Sequence, residues 1–286
     1  MNKLSVVLAT YNEEENIGRC LDSVVDIASE IVVVDGSSKD KTVQIAKRFK
    51  AKVLVTDNPP IFHINKQKAL DLARYSWILQ LDADEVVSKD LACEIKKIIN
   101  MSEEEIDLYQ KSLKERDLFL RHQALLEERD GKIGVNGGYA GFFIPRRNYF
   151  LGKFLKYGGT YPDGVIRLVK KGKAYFPCKD VHEQIVVQGK VGWLSKPLFH
   201  YDSPNFKRYL ERNSRYIDLI AKDLKKNKVD RNLFQFLNFF VFKPLYWFFL
   251  TQIRHKGILD GWQGIVFSFF SALRFPRAYF RYLLLK

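Results

Sequence analysis

The sequence predicts an α/β protein built on a doubly wound, mostly parallel sheet, and three observations lead there. The first hundred residues alternate short β-branched apolar runs with stretches of helical spacing. The apolar runs are nearly continuous, as in strands covered on both faces. Three of them end in polar residues, at Thr10-Tyr11-Asn12, at Asp35 and at Asp82-Ala83-Asp84. Sheets of this kind bind ligands outside the carboxyl ends of their strands.

Residues 3–10 (KLSVVLAT) predict the first strand. Ile17, Leu21, Val24, Val25 and Ala28 recur at helical spacing across residues 14–28. Residues 30–35 (EIVVVD) predict the second strand, and residues 41–49 a short helix capped by Asp40 or Ser38. A strand at 51–56, a helix at 65–74, a strand at 77–82 and a helix at 89–100 complete the alternation. Residues 101–132 are charge-rich with sparse apolar positions and predict an exposed helical insertion, read as a surface helix in preference to an acceptor-side flap. Residues 138–152 and 164–176 read as strands with Gly and Pro turns, and 183–195 as a hairpin around Gln188-Gly189-Lys190. From Asn205 onward the pattern is helical.

Composition narrows the class. With 286 residues, 47% hydrophobic and 14% aromatic, the chain can bury a large core. Cys20, Cys93 and Cys178 form no CxxC pair, which argues against a disulfide framework or a zinc knuckle and suits a reducing compartment. The first apolar run is six residues, too short for a secretory core, so the catalytic part is expected in the cytoplasm. Net charge is +14 but unevenly placed: residues 1–140 hold 20 Lys+Arg against 24 Asp+Glu, and residues 141–286 hold 27 against 9. The basic half suits nucleic acid, anionic lipid or a phosphate-bearing substrate.

The Asp82-Ala83-Asp84 triplet sits where a buried strand emerges. As an isolated triplet it reads as solvated acids at a helix start. In this place two close carboxylates repel each other unless a cation lies between them. Hard oxygen ligands with few protein contacts suit Mg2+ or Mn2+ completed by substrate phosphates. No glycine-rich phosphate loop follows Thr10, which argues against a dinucleotide dehydrogenase. The segment TYNEEENI offers a ring to stack on a base and polar groups to bond its edge, and Asp35 can accept from a base N–H or a ribose hydroxyl.

Four segments, LSVVLATYNEEENIGRCLDSV, EIVVVDGSSKDKTVQIA, NKQKALDLA and WILQLDADE, together resemble the nucleotide-binding half of glycosyltransferase family 2. The downstream FIPRRNYFLGKFLKYGGTYPDGVIRLVKKGKA and VHEQIVVQGKVGWL resemble the branch containing lipopolysaccharide-core β-glucosyltransferases. The resemblance covers roughly residues 3–100 and 138–215. It implies a GT-A fold, a nucleotide-diphosphate sugar donor with a UDP-sugar favoured, a divalent cation, and inversion at the anomeric carbon. It assigns Thr10, Tyr11, Asn12 and Glu13 to the nucleotide, Asp35 to the base or ribose, and Lys66, Gln67 and Lys68 to the donor approach. Asp84 becomes the direct metal ligand and Asp82 the residue nearer the ribose or sugar. The turn after the second strand, VDGSSKD, departs from the family's frequent Asp-Ser-Gly-Ser.

Direct displacement needs one base for the acceptor hydroxyl. The candidates are Asp163 in TYPDG, matched to the family's catalytic acid, and Glu183 in DVHEQ, while His182 can reach the metal or diphosphate. Arg146, Arg147 and Arg167 are candidate phosphate contacts; His63, His122, His200 and His255 are isolated and receive no role.

Residues 232–253 and 258–284 are densely aromatic and mixed with Lys and Arg. They predict helices lying in the plane of an anionic cytoplasmic leaflet rather than spanning it, the alternatives being one or two spans or helices packed on the domain. The expected organisation is a catalytic domain at 1–204, with a nucleotide half at 1–100, an insertion at 101–137 and an acceptor half at 138–204, followed by a membrane-associating region at 205–286. The acceptor is expected to be a glycan or glycolipid, and nucleic acid is not expected. The alternatives are a sugar-phosphate nucleotidyltransferase, which normally carries the missing glycine-rich loop, and a non-catalytic membrane or nucleic-acid binding module.

Overall fold

The computed structural model describes residues 2–179, 184–203 and 205–285. The predicted alternation is present as β1 (Leu4–Thr10), α1 (Ile17–Asp22), β2 (Glu30–Asp35), α2 (Thr42–Arg48), β3 (Lys52–Val55), α3 (His63–Leu72) and β4 (Trp77–Leu81). A short β5 (Glu85–Val87), α4 (Lys89–Ile98), α5 (Glu103–Ser112) and α6 (Arg116–Asp130) follow. Then come β6 (Tyr139–Phe150), β7 (Lys153–Phe154), β8 (Asp163–Lys170), β9 (Ala174–Tyr175), β10 (Val186–Val187), β11 (Lys190–Trp193) and β12 (Leu198–Ser203).

The main sheet runs β3-β2-β1-β4-β8-β6-β12-β5, with β7 and β11 also on β6. β1 to β4 are mutually parallel, and register sets Thr10 beside Asp35 and Leu8 beside Leu81. The ends of β2, β1 and β4 therefore share one edge, and Asp35 and Asp82 lie about two strand spacings, roughly 10 Å, apart. The other half is antiparallel: β8 on β4, β6 on β8 with Arg146 opposite Asp163, and β12 on β5 with His200 opposite Glu85. Val6, Leu8, Val33, Leu79 and Leu81 pack with Ile17, Leu21, Leu91 and Ile95 in one core. Each such burial contributes roughly 1.5–3 kcal/mol and holds the strand ends in place.

Four local expectations change. The first helix stops at Asp22, because Ser23 Oγ bonds back to Cys20 O at 2.6 Å and accepts the Val87 amide at 3.0 Å. At α2 the cap is Lys41 without a side-chain bond; Asp40 Oδ1 accepts from Thr42 N at 2.9 Å, while Ser38 serves Asp35. The hairpin at 183–195 does not form among the described residues. β10 pairs with β9, and β11 pairs parallel with β6. Gly189 between them has φ +151°, and a Cβ there would lie 2.7 Å from Gly138 O, so the turn diverts the chain between two sheets. The insertion is not simply exposed: α6 buries Phe119, whose ring stacks on Trp193 at 4.7 Å.

The chain divides into two compact units, Met1–Arg146 with Pro162–His200, and Arg147–Tyr161 with Tyr201–Lys286. The second contains α7 (Phe206–Lys226), α8 (Leu233–Arg254), α9 (Trp262–Ala272) and α10 (Arg274–Leu284). Residues 238–242 of α8 take wider π spacing just ahead of Pro244, which has no N–H to continue the ladder. α8 is inverted in polarity. Thr251 and Gln252 are buried, Gln252 Nε2 donating to Gly264 O (3.0 Å) and Ser268 Oγ (2.6 Å), while Phe242, Leu245, Tyr246, Phe249 and Ile253 face outward.

Candidate active site

The candidate site lies in the first unit at the ends of β1, β2 and β4. At the end of β1, Tyr11 is 43% exposed and Asn12 adopts a left-handed φ of +54°. Asn12 N donates to Ser38 Oγ at 2.8 Å and Asn12 Oδ1 accepts from Lys39 N at 2.9 Å. Glu13 is tied down through its amide to Thr42 Oγ1 at 2.7 Å. Asp35 is fully buried: its carboxylate accepts from Thr10 Oγ1 (2.8 Å), Ser38 Oγ (2.6 Å) and Ser38 N (2.8 Å). It braces the two loops that frame the site.

The turn after β4 carries the charge. Asp82 is claimed on both oxygens, by Lys66 Nζ at 2.5 Å and by Arg167 Nη2 at 2.5 Å. Burial pushes its carboxyl upward, but the Arg167 and Lys66 charges outweigh that and hold it well below the ordinary carboxylate range. Burial in turn lowers the Lys66 ammonium, with Asp82 opposing. Lys68 turns elsewhere, donating to Thr56 Oγ1 at 3.0 Å, and Gln67 Oε1 accepts from Phe176 N at 2.8 Å.

Asp84 differs from Asp82. Its side chain is 19% exposed, less than the 30% of Asp82, and its partner is His200, whose Nε2 lies 3.5 Å from Oδ2. Burial works to raise its carboxyl, yet the hydrogen bond and charge of His200 bring it below the ordinary value. A carboxylate paired with an imidazole, rather than with a lysine or arginine, fits an ion that takes its other ligands from water and phosphate oxygen. Asp84 can offer a hard carboxylate oxygen to Mg2+ or Mn2+, with His200 orienting that carboxylate, whereas Asp82 is already engaged by cations of the chain. Among the described residues no cluster of three or more His, Cys, Asp or Glu side chains could hold a metal by itself.

Glu85, the third acid of the run, is the buried hub. Its Oε1 meets Arg167 Nη2 at 2.8 Å and Arg146 Nη1 at 3.3 Å, and its Oε2 accepts the Asp82 amide at 3.0 Å. Arg146 reaches Asp163 Oδ2 at 2.8 Å, and Arg167 Nη1 reaches Gln80 Oε1 at 2.5 Å. Arg146 and Arg167 thus brace carboxylates. Counted together, four carboxylates (Asp82, Asp84, Glu85, Asp163) face three fixed cations (Lys66, Arg146, Arg167). The imidazole of His200, 3.5 Å from Asp84, completes the set of groups facing these acids.

Thr10, Asp35, Lys66, Asp82, Asp84 and Asp163 are thereby drawn to one edge of the first unit. His182 and Glu183 lie outside the described residues. The sequence shows Glu85 only as the third acid at the strand end, without its partners, and His200 joins Asp84 only through the antiparallel pairing of β12 with β5.

Comparison with known proteins shows the family. The profile described as Glycosyl transferase family 2 matches residues 5–163, more than half of the chain. A protein of Rickettsia felis named as an uncharacterized glycosyltransferase is 28% identical over 97% of this chain and 88% of its own. The lipopolysaccharide core biosynthesis glycosyltransferase LpsC of Rhizobium meliloti is 24% identical over 95% of this chain and 91% of its own. Among solved structures, glucosyl-3-phosphoglycerate synthase from Mycobacterium tuberculosis in complex with Mn2+ and UDP-glucose is 26% identical over 30% of this chain, with a TM-score of 0.27. The chain spans about a third, 34%, of the length of that structure. The parallel nucleotide half with its antiparallel extension is a GT-A-like fold.

Proposed function

The chain belongs to glycosyl transferase family 2 and is a glycosyltransferase, and from that premise we propose that it moves a sugar from a nucleoside-diphosphate donor to a cell-envelope glycan or lipid-linked acceptor, with inversion in a single displacement. The observation that carries the donor class is the division of labour between Asp82, neutralised by Lys66 and Arg167, and Asp84, which among the described residues meets the imidazole of His200 and neither lysine nor arginine. Asp84, oriented by His200, would hold Mg2+ or Mn2+, and His182 is the further candidate. The ion, when bound, offsets the charge that develops on the departing diphosphate.

The chain's own residues do the rest. Tyr11 offers its exposed ring to the base, with Thr10, Asn12 and Glu13 beside it. Asp35, bonded to Thr10 and Ser38, holds the loops in the shape that presents them to base and ribose. Lys66 fixes Asp82 near the ribose or sugar, and Lys68 follows on the same helix. Asp163, oriented by Arg146, is the candidate base for the acceptor hydroxyl, and Glu183 is the alternative. Likeness to LpsC favours a lipopolysaccharide-type acceptor. The outward apolar stripe of α8 favours a peripheral position on the cytoplasmic membrane face.

A thermal-shift panel of UDP-, GDP- and dTDP-sugars, with and without Mn2+, tests this reading. A UDP-sugar is expected to stabilise the protein only with metal, and Asp84→Asn is expected to remove that shift while leaving the unliganded melt in place. Equal shifts in the absence of metal would overturn the Asp84 assignment.

A further inference from the structure

α5 and α6 fold onto the part of the sheet that carries Asp163. The anchor is Trp193 at the end of β11. Its ring is stacked between Phe119 of α6 (4.7 Å) and Phe143 of β6 (4.5 Å). Its indole Nε1 donates to Gln123 Oε1 at 3.1 Å, and its backbone N and O are both held by the Gln110 amide at 2.9 Å. Every polar atom of Trp193 is thus bonded to a residue of the insertion. A surface helix with no task would not require such a fastening.

One residue of α6 reaches past Trp193. The Gly164 amide donates to His122 Nε2 at 3.1 Å. Accepting there requires a lone pair on Nε2, so the imidazole is neutral with its proton on Nδ1. Burial lowers the His122 pKa, with Asp163 opposing, which agrees with the neutral form. Gly164 has no room to spare: a Cβ would lie 2.3 Å from Trp193 Cη2 and 3.0 Å from His122 Cδ2. The peptide following Asp163 is therefore clamped between an indole and an imidazole, both set by the insertion.

We propose that His122 is a positioning residue, fixing the Asp163–Gly164 backbone so that the Asp163 carboxylate, itself bonded to Arg146, meets the acceptor hydroxyl. The 103–130 helices are then part of the catalytic apparatus on the acceptor side. This inference rests on the reading of Asp163 as the base. A base displaced by about 1 Å loses on the order of 100-fold in rate without losing donor affinity.

The test uses the full chain, UDP-glucose with Mn2+ and water as acceptor, comparing wild type with His122→Leu, His122→Gln and Asp163→Asn. Leucine keeps the bulk and removes the acceptor atom; glutamine carries Oε1 to about the place of Nε2. His122→Leu is expected to lower kcat by about 10- to 100-fold at unchanged KM, and His122→Gln to restore most of it. Amide hydrogen exchange at Gly164 gives a substrate-free reading: faster in His122→Leu, near wild type in His122→Gln. Wild-type kcat and wild-type exchange in His122→Leu would overturn the positioning role. If that variant is normal while Asp163→Asn is inactive, only the role of His122 is lost. An active Asp163→Asn removes the base assignment and this inference with it.

Discussion

At the scale of single residues, the site depends on which carboxylates are neutralised by the chain and which are left for a ligand. Glu85 belongs wholly to the first group. It is completely buried, with two guanidinium groups on one oxygen and a backbone amide on the other. Removing it leaves Arg146 and Arg167 buried beside each other without their shared counter-charge. Glu85→Ala is therefore expected to destabilise the protein by about 3–5 kcal/mol, read as a lowered urea midpoint, whereas Asp84→Asn leaves that midpoint near wild type. Equal midpoints would show that Glu85 is not the hub. This contrast explains what the sequence discloses and what it withholds. Asp35, Asp82 and Asp84 are legible because they end buried parallel strands, a local pattern. The partners of Glu85 are not, since Arg167 and Arg146 meet it across 82 and 61 residues through the antiparallel half.

At the scale of elements, the parallel half is tied together at its far edge by one buried acid. Glu30, opening β2, accepts from Ser5 Oγ of β1 (2.7 Å), from Lys52 of β3 (3.1 Å) and from the Arg74 amide ahead of β4 (2.5 Å). Burial works to raise its carboxyl, but those hydrogen bonds prevail and lower it from 4.5 to about 2. A folded-state value depressed in this way gives stability that is complete above the ordinary value and is lost as pH falls toward the folded one. Unfolding free energy is therefore expected to decline between pH 4.5 and about 2, with Glu30 contributing up to about 3 kcal/mol of the change. Glu30→Gln should flatten that part of the curve in denaturant titrations at stepped pH; an unchanged slope would place the acid sensitivity elsewhere. The elements themselves are legible where period and turn chemistry agree, as from β1 to α4. They are not legible at 183–195, where two apolar runs flank a glycine as in a hairpin. Pairing there is decided by which sheet edges are open, and β6 and β9 take the two runs separately.

At the scale of the whole molecule, charge and apolar surface collect in the same stretch. Residues 205–286 hold 16 Lys+Arg against 5 Asp+Glu. In the second unit α8, 22 residues long, buries Phe239, Thr251 and Gln252 and turns Phe242, Leu245, Tyr246, Phe249 and Ile253 outward. By length it reaches about 33 Å, enough to cross a bilayer. Its fastenings argue for lying along one. Near its start Arg231 Nη2 bonds Leu285 O at 2.9 Å, and just past its end His255 O accepts from Gly158 N at 2.8 Å. Midway the Arg274 guanidinium sits 4.2 Å over Trp247 and Lys243 sits over Phe239, charges that would stand near the centre of a membrane if α8 crossed it. The proposed peripheral attachment then makes a quantitative demand. Binding to phosphatidylglycerol-containing vesicles should weaken with salt, as counter-charge is screened, and fall sharply in neutral vesicles. Leu245→Glu with Phe249→Glu removes two inserted side chains, each worth roughly 1.5–3 kcal/mol, and should cut vesicle partitioning by about 100-fold or more. A protein that does not sediment with vesicles, but whose mass in solution doubles with concentration, would instead assign the stripe to a second copy of the chain.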